Sequence, residues 1–128
     1  MGIEKQFRLL PLLSQAELWR EFSAASLSVS VSTHDGTPNT LLEAMSLGCL
    51  PVCGDLDSIR EWIEPGINGL LIDPADPAGL ASAILRGLED EALRENAAQV
   101  NRELVRNRAE ISSVREKVAE FYKNLSAN

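Results

Sequence analysis

Short apolar runs alternate with amphipathic stretches along this chain, and that alternation constrains its fold more than any other feature. Residues 7–10 form an apolar run, and residues 27–32, Leu27-Ser28-Val29-Ser30-Val31-Ser32, alternate apolar and small polar side chains at the period of a strand. Two further short runs, 50–53 and 69–72, have strand character, although Pro51 is unusual in such a place because it has no N–H to donate. Helical signals separate the runs. Ser14-Gln15-Ala16-Glu17 reads as a capping box, opening a helix whose Leu18, Phe22 and Ala25 share one face. A second helix is expected over 38–47, with Thr37 as N-cap, Pro38 at its first position and Gly48 as a left-handed stop. A short helix over 58–63 ends before Pro65-Gly66. Asp76 and Pro77 open another, in which Leu80, Ile84 and Leu88 recur at intervals of four beside Ala81 and Leu85. Two last amphipathic patterns carry Leu93, Ala97, Val100 and Leu104, then Ile111, Val114, Val118, Phe121 and Leu125. Strands separated by helices require crossover connections, so the fold class is α/β, a layered parallel sheet with extra C-terminal helices. Residues 1–128 read as one domain with a helical segment over about 90–126, without repeats or low-complexity stretches.

Composition narrows the function classes. The chain is 45% hydrophobic and 24% charged, the profile of a folded globular domain. No apolar run approaches the roughly 20 residues that span a bilayer, and no basic-then-apolar leader is visible. A formal net charge of −7 argues against general nucleic-acid affinity, which rests on clustered Lys and Arg. A local phosphate site is still open to it, because a helix N-terminus offers backbone donors without basic side chains. Cys49 and Cys53, on one strand, would stand about 13 Å apart at about 3.3 Å per residue, too far for a disulfide. They are expected to be buried thiols, and the chain to be cytoplasmic.

The stretch "STHDGTPNTLLEAM" carries the chemistry. It links the 27–32 strand to the 38–47 helix, and in parallel sheets ligands bind where such loops lead from strand ends into helix N-termini. Gly36 permits a sharp turn and a close approach of ligand to backbone. Pro38 has no N–H, but the amides of Asn39, Thr40 and Leu41 fall in a first helical turn, a site for phosphate. Glu43 follows in the helix, able to accept from two neighbouring hydroxyls, as on a ribose. Asp35 in the loop could hold a second hydroxylated ring. An anion site between two carboxylates suits a nucleoside diphosphate-sugar. The bland alternative makes Asp35 a turn cap and Glu43 an exposed helix carboxylate. His34, the one histidine, reads as incidental; Trp62 as a core anchor; Asn68-Gly69 as a turn; and Glu89-Asp90-Glu91 as a solvated helix start.

The run "HDGTPNTLLEAMSLGCLPVCGDLDSIREWIEPGINGLLIDPADPAGLASAI" resembles the donor-binding half of retaining glycosyltransferases of the GT-B fold, family 4 type. That family carries two acidic residues separated by seven others, as Asp35 and Glu43 are, then Ala-Met, a Gly, a Pro-Val strand, Asn-Gly-Leu-Leu and Asp-Pro before a helix. The likeness extends from about Phe7 to Leu125. It implies that Glu43 binds the ribose hydroxyls and that Asp35 contacts the donor sugar near the reacting centre. Gly36 and Thr37 would line the sugar with backbone, and Thr40 and Leu41 would face the diphosphate. Asp35 departs from the pattern, being one methylene shorter than the usual Glu. No metal or other cofactor is implied beyond the nucleotide-sugar itself.

A GT-B enzyme has two Rossmann-like domains, and this chain is too short for both, so the resemblance implies a Rossmann-like layered sheet that is an incomplete C-terminal half-domain of a GT-B fold. It also lacks the first strands of the donor domain, where the family places an Arg and a Lys on the donor phosphates; Lys5 and Arg8 do not fit that pair. The expectation is a C-terminal portion of a longer enzyme, or a truncated product, inactive alone and partnered by an N-terminal acceptor domain. The alternative is a non-catalytic interaction module that pairs or self-associates through an exposed sheet edge.

Overall fold

The computed structural model describes residue 6 and residues 8–31, 39–108 and 112–126. Its centre is a three-stranded parallel sheet in the order β1-β2-β3, formed by Leu27–Ser30, Leu50–Gly54 and Leu70–Ile72. The register pairs Leu27 with Leu50 and Val52 with Leu70. Six helices surround it among the described residues: α1 Gln15–Ala24, α2 Asn39–Ser46, α3 Asp57–Arg60, α4 Pro77–Glu89, α5 Glu91–Arg108 and α6 Ser112–Ser126.

The two-residue period of β2 sorts the core. Leu50 and Val52 face one side with Leu70, Leu93 and Ala97, against Leu27, Leu80 and Ala83. Cys53 faces the other, among Leu41, Leu42, Met45, Ile59, Ile63 and Val105. Helix α5 therefore serves both layers, its first half on one and its second half on the other. A third cluster of Trp19, Leu47, Val118 and Phe121 joins α1, the end of α2 and α6.

Pro51 sits in the central strand, and the register explains why it is tolerated. Leu50 N–H donates towards β1, to the Ser26 carbonyl at 3.0 Å, so the next nitrogen points towards β3. The ladder with β3 begins only at Val52, beyond the missing donor. Gly69 leaves room for the ring: a Cβ there would lie 3.0 Å from Pro51 Cγ and 3.0 Å from its carbonyl oxygen.

Several expected faces are rotated. The apolar run at 8–10 forms no strand; Leu9 and Leu10 are exposed, and Phe7 lies outside the described residues. The capping box of α1 is present, but its buried residue is Trp19, with Leu18 and Phe22 half-buried and Ala25 exposed. In α4 the inward positions are Leu80, Ala83, Ile84 and Gly87, while Ala81, Leu85 and Leu88 face outward. A Cβ on Gly87 would come within 2.9 Å of both Leu27 and Leu50, so the helix rides close to the sheet on its glycine. In α6, Val118 and Phe121 are buried and Leu125 is exposed; Ile111 lies outside the described residues. Trp62 packs against the core cluster as an anchor.

Candidate functional site

Helix α2 forms because Leu41, Leu42 and Met45 bury one face against the sheet. It stops at Gly48, whose φ of +92° is the left-handed geometry that favours glycine. Cys49 N–H reaches the Ala44 carbonyl at 3.1 Å and Gly48 N–H the Met45 carbonyl at 3.3 Å, the paired bonds of a Schellman stop. At its other end, Thr40 is exposed, whereas the Leu41 side chain is in the core. Leu41 therefore offers a ligand only its backbone. Asp35, Gly36 and Thr37 lie outside the described residues.

Glu43 is not an exposed helix carboxylate. It is 5% exposed, and among the described residues it is the one buried acidic side chain. It lies on the α1-facing side of α2, four residues before Leu47, which packs on Trp19. The indole N–H of Trp19 donates to Glu43 Oε2 at 2.8 Å, and the Gln15 side-chain amide donates to Oε1 at 3.4 Å. Trp19 is itself held edge-on by Phe121 of α6, with ring centroids 5.8 Å apart at 71°. The sequence reading did not include Trp19 or Gln15 in the site. The signal was a Trp one position from the assumed face of a helix flanking the sheet.

Other acidic groups delivered to the carboxyl edge of the sheet are already engaged. Asp55, just after β2, forms a two-bond pair with Arg60, 2.5 Å to Nε and 2.7 Å to Nη2. The Arg60 hydrogen bonds hold the Asp55 carboxyl below its ordinary range, and Asp55 in turn raises Arg60. Asp73, after β3, accepts from Ala75 N–H at 2.9 Å in its own turn. Burial pushes both Cys49 and Cys53 up to about 11, and Cys49 donates to the Phe22 carbonyl at 3.0 Å; both are free thiols. Among the described residues no group of three or more His, Cys, Asp or Glu is placed to hold a metal ion, and no helix is long and apolar enough to cross a membrane.

The turn at Asn68-Gly69 does more than reverse the chain. Asn68 is buried, donating to the Trp62 carbonyl at 2.7 Å and to Asn101 Oδ1 at 2.9 Å, and accepting from Glu64 N–H at 2.7 Å. Asn101 returns a bond to the Asn68 carbonyl at 3.0 Å.

Known proteins give the same architecture a family. Residues 1–104 match the family described as glycosyl transferases group 1. The chain is 34% identical over 94 residues to the O-antigen chain mannosyltransferase B of Escherichia coli, covering 73% of this chain and 24% of that protein. It is 32% identical over 91 residues to a D-inositol 3-phosphate glycosyltransferase of Nocardioides sp., covering 71% of this chain and 20% of the relative. Thus the chain spans only about a quarter of the length of such relatives. Among solved structures, sucrose-phosphate synthase of Thermosynechococcus elongatus superposes with a TM-score of 0.77 at 24% identity, over 98% of this chain and 32% of that one. Anabaena HepE in complex with UDP and glucose gives 0.77 at 23% identity, over 99% and 34%. With a family match over most of its length and the layered parallel fold to go with it, this chain belongs to the group 1 glycosyl transferases.

Proposed function

We propose that the chain is the donor-binding portion of a retaining glycosyltransferase, which moves a sugar from a nucleoside diphosphate-sugar to an acceptor hydroxyl. The observation that carries this reading is the burial of Glu43 on the helix that starts at the carboxyl edge of a parallel sheet. A carboxylate there can accept from two ribose hydroxyls while the first-turn amides of α2, at Thr40 and Leu41, face the diphosphate. Those amides would also stabilise charge on the leaving diphosphate. The loop residues Asp35, Gly36 and Thr37 would then meet the donor sugar. That a solved structure of the same fold holds UDP-glucose supports the substrate class. The reading involves no metal, and it treats residues 1–128 as one partial donor domain, with an N-terminal acceptor domain as partner and a cytoplasmic setting.

The test is NMR of the chain with UDP, GDP and ADP and their hexose conjugates, beside Glu43→Ala. Binding of one nucleotide, weakened at least tenfold in the variant, is the expected result. Equal affinity in the variant would remove Glu43 from the site.

A second reading is favoured by one feature. Among the described residues β1 is paired on one side only, and Val29 within it and Val31 just after it are exposed. An interaction module would use such an edge to associate with another chain or with itself. Light scattering separates the two: a monodisperse monomer that binds nucleotide supports the donor reading alone.

A further inference from the structure

From the two bonds on its carboxylate we infer that Glu43 is set for ribose by an unequal pair of α1 residues: Trp19 is a fixed anchor, and Gln15 is a stand-in that a ribose hydroxyl replaces. This rests on the reading of Glu43 as the ribose acceptor.

The two bonds differ in every respect that matters. Trp19 is 4% exposed and its indole bond to Oε2 is 2.8 Å, short for a nitrogen donor. The ring cannot turn away, because Phe121 lies edge-on against it and Leu47 and Val118 close the cluster. An indole donates only, so it fixes which oxygen faces inward. Gln15 is the first residue of α1, is exposed, and reaches Oε1 at 3.4 Å, near the limit of a hydrogen bond. Its flexible amide is a weak occupant of the outer oxygen.

The acceptor count agrees. A carboxylate offers about four lone-pair sites. Trp19 keeps one of them, and with Gln15 displaced about three are open to the two hydroxyls of a ribose's vicinal diol. Trp19 is thus a positioning residue acting through Glu43, and the docking of α6 on Trp19 by Phe121 ties the C-terminal helix to the same carboxylate.

The experiment is an affinity comparison by NMR on the whole chain, using UDP and GDP and their 2′,3′-dideoxy analogues. Trp19→Phe keeps an aromatic ring in the cluster and removes the donor. It should lower affinity for the ribonucleotide about tenfold, the scale of one hydrogen bond to a charged group, and leave the dideoxy analogue within twofold. A purely structural role would weaken both alike and would overturn the anchor. Gln15→Ala should leave ribonucleotide affinity unchanged or up to about twofold tighter; a fivefold loss would overturn the exchange. Should Trp19→Phe not fold, the wild-type indole N–H resonance of Trp19 decides. It must shift on saturation with UDP or GDP but not with the dideoxy form, and an unmoved resonance overturns the inference. If wild type binds no ribonucleotide, or binds one equally in Glu43→Ala, the donor reading itself falls and takes this inference with it. Glu43-dependent binding that ignores Trp19→Phe removes the inference alone.

Discussion

Asn101→Ala is the sharpest test of how this fold holds its connections in place. Asn101 is fully buried on α5 and exchanges two hydrogen bonds with Asn68, 2.9 Å from the Asn68 amide and 3.0 Å to the Asn68 carbonyl. Truncation leaves both Asn68 groups without these partners in a site closed to solvent. Each buried group so orphaned costs about 1–3 kcal/mol, so the variant should lose about 2–6 kcal/mol. That is a large share of the roughly 5–15 kcal/mol that holds a domain of this kind. The perturbation is local, because Asn68 keeps its bonds to the Trp62 carbonyl and the Glu64 N–H. Urea unfolding should therefore give a lower midpoint with an unchanged slope. Thermal unfolding should show a midpoint lower by about 10 °C. A loss below about 1 kcal/mol would refute the reasoning, for it would mean that the two asparagines do not close each other's polar groups.

Two further outcomes follow from geometry and burial. Gly69→Ala should cost about 1–3 kcal/mol, since its Cβ would meet Ile63 at 2.9 Å and both the ring and the backbone carbonyl of Pro51 at 3.0 Å; a neutral result in urea unfolding would show that β2 and β3 can part without cost. Cys49 and Cys53 are raised from 9.0 to about 11 by burial, so the folded chain keeps their protons where the unfolded chain has lost them. Their contribution is whole below pH 9.0 and is lost as pH rises to about 11, so the urea midpoint should fall across that window and fall less in Cys53→Ala relative to its own value at pH 8. A flat midpoint would contradict the burial of the thiols.

What could be read in the sequence depended on whether a signal was local. The capping box at Ser14, the Gly48 stop and the Asp76-Pro77 helix start are set by residues a few positions apart, and the structure has them where expected. The sheet was legible because alternating strand and helix leaves one simple topology. Faces were less legible. Leu85 and Leu88 satisfy the helical period as well as Ala83 and Gly87 do, and only the sheet's need for close approach at Gly87 chooses between them. The apolar run at 7–10 looked like a strand, yet its described residues 8–10 are exposed and pair with no strand of the sheet. Within the candidate site, Glu43 could be named from its place in the motif. Its donors could not, since Trp19 and Gln15 lie 24 and 28 positions away on a different helix.

The two buried polar centres of the chain invite a distinction that bears on function. Asn68 and Asn101 spend their polar groups on each other and on nearby backbone, forming a closed arrangement whose removal should cost stability and nothing else. Glu43 is different in kind. Withdrawing a carboxylate from water carries a penalty of several kcal/mol, and a single short bond from an indole does not offset it. The second donor is an exposed side chain at 3.4 Å, too long to contribute much. An apolar residue at position 43 would escape that penalty and leave the buried Trp19 indole N–H without its acceptor, a smaller cost of about 1–3 kcal/mol. A buried acid whose two protein donors only partly offset its burial, with acceptor capacity beyond them and a helix N-terminus beside it, is better explained by what it binds than by what it holds together.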